Sequence, residues 1–185
     1  MGFGLNKEEF SDALRLRYNI QLEDLPSTCR CGNPFNVSHA LICKTGGFIH
    51  QRHDNIKQIL TGLLSRVCRG VESESHLIKI TKEQFKKKSA NTSEEARLDI
   101  KAPGFWGKGQ NAYFDVRVTH TNCSSQQNQD TNQIFRSHEM AKKKREYMDR
   151  ILQVKNGSFT PLVFATNGGL GEECQKFVQE LSSKR

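Results

Sequence analysis

The stretch from Ala96 to Thr119 constrains the chain most. Ala96, Leu98, Ile100 and Ala102 alternate with Arg97, Asp99 and Lys101, and Phe114, Val116 and Val118 alternate with Tyr113, Asp115, Arg117 and Thr119. A period of two is that of strands. Pro103, Gly104, Gly107 and Gly109 punctuate the join, so the stretch reads as a hairpin with an elaborated loop. Pairing symmetric about Gly107 sets Asp99 opposite Asp115 on the polar face, with Arg117 one step along. Carboxylates facing each other across an antiparallel ladder lie about 5 Å apart and repel unless a cation sits between them. A divalent metal is the expected cation.

Upstream, Asn6 caps a helix expected from Lys7 to Tyr18, with Glu9 at the capping-box position and Phe10, Ala13, Leu14 and Arg17 along one side. Pro26 and Ser27 end that segment. Cys29-x-Cys31-Gly32 follows, then His39 and Cys43 with three residues between them. That gap puts His39 and Cys43 on one face of a helical turn, and Gly32 allows a tight turn at Cys29 and Cys31. Cys29, Cys31, His39 and Cys43 therefore form a set suited to tetrahedral, structural Zn²⁺, although the first spacing is shorter than the usual two to four residues. His50 and His53 are near enough to substitute as the fourth ligand or to support the others. The bland alternative is a buried Cys43 and a hydrogen-bonded His39 without metal.

From Arg52 to Val67 the residues Ile56, Ile59, Leu60, Leu63, Leu64 and Val67 mark an amphipathic helix closed by Gly70. A strand is expected to open at Glu72 and to run through Glu74, His76, Leu77, Ile78 and Ile80. Lys82 to Glu95 is polar and basic, and reads as a loop with a short helix. Asn122 to Gln133 is a connector of low complexity. A long helix is expected from Ile134 to Val154, with Lys143, Tyr147, Ile151 and Val154 on its packed side and Lys144 and Arg145 toward solvent. Phe159 to Thr166 reads as a strand covered on both faces. Gly168, Gly169 and Gly171 then make a strand-to-helix turn into a last helix buried through Cys174, Phe177, Val178 and Leu181. The glycine run lacks the Lys-Ser/Thr of a nucleotide loop.

The 185 residues suffice for one ordinary core and a small appended module. No apolar run approaches the roughly 20 residues of a membrane span. Asn6, Lys7, Glu8 and Glu9 stand where a signal peptide needs an apolar core. The expectation is a nuclear or cytoplasmic protein, neither secreted nor membrane-bound. Six cysteines, three clustered and three single, make a poor disulfide framework, so the compartment reads as reducing. Lys plus Arg number 28 against 20 acidic residues, a net charge of +8, with clusters at Lys86 to Lys88 and Lys142 to Arg145. Such a balance favours a polyanion such as nucleic acid, and the plain alternative is a solvated basic surface.

On adjacent strands Asp99 and Asp115 can hold one or two Mg²⁺ or Mn²⁺ ions, Lys143 can reach the same edge, and Glu72 or Glu74 can add a ligand. Phosphodiester hydrolysis needs such a set: the metal lowers the pKa of a bound water and neutralises the scissile phosphate, and an ammonium stabilises the pentacovalent state. The alternative is surface alternation in which Arg97, Lys101 and Arg117 pair the carboxylates.

Helix, three-strand meander, helix and strand, with Arg-x-Asp on the second strand and Asp-Val-Arg-Val on the third, resembles the PD-(D/E)xK restriction-endonuclease fold. With the preceding Cys-x-Cys…His…Cys knuckle, Arg52-His53 and a Lys-x-x-x-Tyr helix, it is similar to the C-terminal region of non-LTR retrotransposon polyproteins, which carry such an endonuclease behind their reverse transcriptase. The resemblance implies an α/β fold, a restriction-endonuclease-like mixed sheet flanked by helices, with a small zinc knuckle before it. It divides the chain into an N-terminal helix and linker (1–24), the knuckle (25–50) and the endonuclease-like domain (51–185).

It also implies metal binding by Asp99 and Asp115, with Lys143 as catalytic lysine and Tyr147 nearby. Target-site nicking of DNA, or of an RNA–DNA hybrid, would follow, with an element-encoded reverse transcriptase as partner and Arg52, His53, Arg117, Lys144 and Arg145 on the nucleic acid. Leu98 stands where the family has proline. Arg117 occupies the strand-lysine position, where it can bind phosphate but cannot act as a base. The chain has no polymerase motif. Two other classes compete: a nucleic-acid-binding module with a decayed active site, and a zinc-stapled interaction domain without DNA affinity. Trp106, at the hairpin tip, either wedges against a base or covers the core.

Overall fold

The computed structural model describes residues 4–18, 20–45, 48–76, 97–123, 126, 128–140 and 157–184. The expected strand residues Leu77, Ile78 and Ile80, the basic run Lys86 to Lys88, and Lys143, Lys144, Arg145 and Tyr147 lie outside them.

Alternation builds a four-stranded sheet in the order β1-β2-β3-β4. Its strands are β1 (Glu72–His76), β2 (Arg97–Pro103), β3 (Asn111–Thr119) and β4 (Gly157–Ala165). β1, β2 and β3 form an antiparallel meander, and β4 adds parallel to β3, so the sheet is mixed. A parallel neighbour requires a crossover. The helix α4 (Thr131–Met140), counted after α1 (Lys7–Arg17), α2 (Val37–Ile42) and α3 (Phe48–Leu64), lies on that connection. α5 (Glu172–Ser183) closes the fold.

The even-numbered residues of the central strands supply one buried face: Ile100 and Ala102, Ala112, Phe114 and Val116, and Leu162. Leu60 and Leu64 of α3 and Cys174, Phe177 and Leu181 of α5 cover it. Phe105, fully buried, stacks on Phe177 with ring centres 5.1 Å apart and meets Phe114 edge-on at 5.4 Å. On the opposite face Phe135 of α4 packs with Val163 and Ala165. Helices thus flank both faces, which explains the unbroken buried run from Phe159 to Val163. Pro161 sits within it because, among the described residues, β4 is an edge strand whose only ladder partner is β3.

The hairpin pairs Ile100 with Phe114 and Pro103 with Asn111, the offset expected from symmetry about Gly107. Its second face is not an open polar surface, however. Tyr113 is fully buried and Asp115 only 5% exposed, on the side where α4 packs. At the tip Trp106 packs edge-on against Phe105 and donates from Nε1 to Thr160 Oγ1 at 3.0 Å, so the indole covers the core.

The capping box at Asn6 and Glu9 starts α1 at Lys7 as its residues dictate. None of its residues is buried. Arg17 ties it to the β4–α5 turn through a hydrogen bond to the Asn167 carbonyl at 3.0 Å. α3 begins at Phe48, a turn earlier than its apolar periodicity announces, because its first residues face the knuckle rather than the sheet. No helix among the described residues is long and apolar enough to cross a membrane.

Candidate functional site

Two short elements bring the cysteines and histidine together. Gly32 N–H donates to the Cys29 carbonyl and Cys29 N–H to the Asn33 carbonyl, both at 2.8 Å. Gly32 turns this loop at φ +87°, a conformation glycine adopts without a Cβ clash. Asn36 caps α2 by accepting from His39 N–H at 2.8 Å, and α2 ends at Cys43, whose N–H donates to the His39 carbonyl. His39 and Cys43 are therefore one helical turn apart and face the loop.

The ligand atoms of Cys29, Cys31, His39 and Cys43 all lie within 4.8 Å of one another. Cys29 and Cys43 Sγ are 3.8 Å apart, and Cys31 Sγ is 3.2 Å from His39 Nε2. Tetrahedral zinc with Zn–S near 2.3 Å sets neighbouring sulfurs about 3.8 Å apart, so the cluster has the right size. The Asn33 N–H, the largest influence on Cys31, helps hold that thiol down to about 6, which favours the thiolate a metal needs. Cys29 receives a hydrogen bond from the Cys31 backbone that lowers it, yet desolvation and the neighbouring thiols leave it raised. A set whose second thiolate is discouraged by the first is one that a dication relieves. The cluster can hold a metal such as zinc. It closes on His39, and neither His50 nor His53 joins it. All six cysteines are free thiols.

The second candidate centre lies on the sheet. The paired register of β2 and β3 ends at Ile100 and Phe114. One step on, where Asp99 would face Asp115, the Asp99 carboxylate accepts the Val116 N–H at 2.6 Å. The same oxygen lies 3.3 Å from His53 Nε2 of α3, and His53 Nδ1 is 3.2 Å from Asp54. The hydrogen bond to Asp99 raises His53 to about 9, so at neutral pH an imidazolium stands beside the carboxylate. The cation expected at Asp99 is thus supplied in part by a side chain.

Beyond it, Lys57 bridges Asp54 at 3.2 Å and Glu74 at 2.8 Å, and Arg97 lies 3.6 Å from Glu74. Glu74 adopts φ +53°, rare outside glycine, and the β1–β2 register omits it between Ser73 and Ser75. Glu72 pairs with Lys101 at 2.8 Å, across the ladder from it.

Arg52 donates from Nη2 to the Leu41 carbonyl at 3.1 Å, joining α3 to α2, and burial lowers its pKa. Arg117 is exposed on β3, two residues beyond Asp115 on the same face. Among the described residues, no metal-sized group of three or more Cys, His, Asp or Glu ligands forms besides the knuckle. Sequence reasoning missed Lys57 and the His53–Asp99 bond. The spacing of Asp54 and Lys57 signals an ion pair on α3, but nothing local signals contact with strands 17 and 46 residues away.

No protein-family model and no curated protein sequence matches this chain.

Proposed function

We propose that this chain is a zinc-stapled nucleic-acid-binding protein whose sheet carries a metal-dependent DNA endonuclease centre, restriction-endonuclease-like and of retroelement type. The observation that carries the reading is the placement of Asp99 at the point where the β2–β3 register stops, with the buried Asp115 next along on β3. A carboxylate where a sheet ladder stops, with a second carboxylate carried by the neighbouring strand, is the kind of donor set that suits Mg²⁺ or Mn²⁺.

Asp99 and Asp115 would hold the ion, which when bound supplies an activated water and charge neutralisation at phosphorus. Arg117, exposed on β3, would bind a phosphate oxygen. Lys143, with Tyr147, keeps the role that the resemblance gives it, and Lys144 and Arg145 extend the basic surface. Glu72, held by Lys101, is the weaker candidate for a metal ligand. DNA, or an RNA–DNA hybrid, is the substrate, and a reverse transcriptase of the same element is the partner this reading entails.

The test is nicking of supercoiled plasmid by zinc-loaded protein, with and without Mg²⁺ or Mn²⁺, in the parent and in Asp99→Ala, Asp115→Ala and Lys143→Ala. Nicking that needs the added metal and disappears in all three variants supports the assignment.

The His53–Asp99 bond favours a second reading. An imidazolium already beside Asp99 is what a decayed centre would keep for stability, leaving a non-catalytic nucleic-acid-binding module. Retention of salt-dependent DNA binding without nicking would select it.

A further inference from the structure

A cleft of about 800 Å³ opens between the zinc knuckle and the first two turns of α3. That volume is typical of sites that enclose small ligands. Cys29 and Cys43 form part of one wall, so the metal cluster holds that wall in place. The other wall is one face of α3, with Phe48, Gln51, Arg52 and Asn55 at helical spacing.

Three features identify an occupant. First, Phe48 lines the cleft yet is 64% exposed, and Phe35 lines it too, so aromatic faces are available at its mouth. Second, its lining among the described residues contains Arg30 and Arg52 and no Asp or Glu, and Lys44 is exposed beside Cys43. Third, Arg52 Nε is buried without a hydrogen-bond partner among the described residues, an arrangement that costs free energy unless something accepts from it. A flat aromatic ligand with hydrogen-bonding edges and an attached anion satisfies all three. A lipid tail would leave the guanidinium groups unmatched, and an acidic peptide would leave the aromatic rings unused.

We infer that this cleft receives an unpaired nucleotide of a single strand, its base stacked on Phe48 and its phosphate or base edge bonded by Arg30 and Arg52. The inference rests on the reading of the chain as a nucleic-acid binder, and adds that it grips single-stranded nucleic acid beside the duplex. Gln51 and Asn55, exposed on the same helical face, offer amides to the base edge.

The experiment is fluorescence anisotropy of the zinc-loaded full chain with a labelled 12-mer single-stranded DNA, the same sequence as RNA, and the corresponding DNA duplex. Parent, Phe48→Ala and Phe48→Trp are compared. Because Phe48 is exposed, neither substitution threatens folding, and equal melting temperatures will verify this. Loss of one base stack predicts single-strand affinity about 10-fold weaker in Phe48→Ala. It also predicts recovery in Phe48→Trp, with quenching of the added indole fluorescence on binding. The DNA and RNA arms identify the preferred sugar. Unchanged single-strand affinity in Phe48→Ala, with salt-dependent duplex binding intact, overturns this inference alone. Absence of binding to all three ligands overturns it together with the nucleic-acid reading.

Discussion

Removing the zinc that we propose for the Cys29, Cys31, His39 and Cys43 cluster should unfold residues 29–43 and leave the sheet folded. Cys43, at 9% exposure, is the only buried side chain in that segment, and α2 buries none, so apolar burial contributes little to its order. Ordering fifteen residues costs about 15–20 kcal/mol at a little over 1 kcal/mol each. Six local hydrogen bonds offset roughly 1 kcal/mol each, and structural zinc contributes about 10–16 kcal/mol. With zinc the segment is balanced or slightly favoured; without it the shortfall is about 10 kcal/mol. The sheet core has no share in these terms, because Leu64, Ile100, Phe114, Leu162 and Phe177 are fully buried away from the cluster. Amide hydrogen exchange before and after chelation provides the assay. Cys29, Gly32 and Cys43 should lose protection and exchange as open chain, while the β3–β4 ladder at Phe114 and Leu162 keeps its own. Unchanged protection at Cys29 and Cys43 in protein shown by mass spectrometry to be metal-free would refute the reasoning.

Four further outcomes follow from contacts in the structure. Asp99 lifts His53 to about 9 from an ordinary value near 6.5, so its stabilisation is complete below about pH 6.5 and fades as pH rises to 9. With 30% of the imidazole side chain open to water this amounts to about 1 kcal/mol, and thermal melts of His53→Gln should lack that alkaline decline. Phe105→Ala, in the fully buried aromatic cluster, should cost about 3–5 kcal/mol in urea titration. Gly157→Ala should destabilise by about 1–3 kcal/mol, since its Cβ would meet the Asn111 carbonyl oxygen at 2.6 Å and the Tyr113 ring at 2.8 Å. Trp106→Phe leaves the buried Thr160 hydroxyl without its indole donor and should lower the melting free energy by about 1 kcal/mol, with DNA affinity unchanged.

The amino-acid sequence determined by itself whatever depends on neighbours in the chain. Period-two alternation specified β2 and β3, the glycines specified their turn, and the offset between the strands followed from the symmetry of both. The Asn6–Glu9 capping box located α1, and the spacing of Cys29, Cys31, His39 and Cys43 located the cluster, because a tight turn and one helical turn suffice to gather four ligands. Tertiary structure decided what depends on surfaces meeting. It chose His39 over His50 and His53 as the fourth ligand of the set. α4, packing across β4, turned an expected polar face into one that buries Tyr113 and Asp115. It also sent His53 to Asp99 and Arg52 to Leu41, two contacts that alternation and helical periodicity cannot encode. Periodicity reports which side of an element is buried; which partner a polar side chain finds depends on elements tens of residues away, and only packing brings those together.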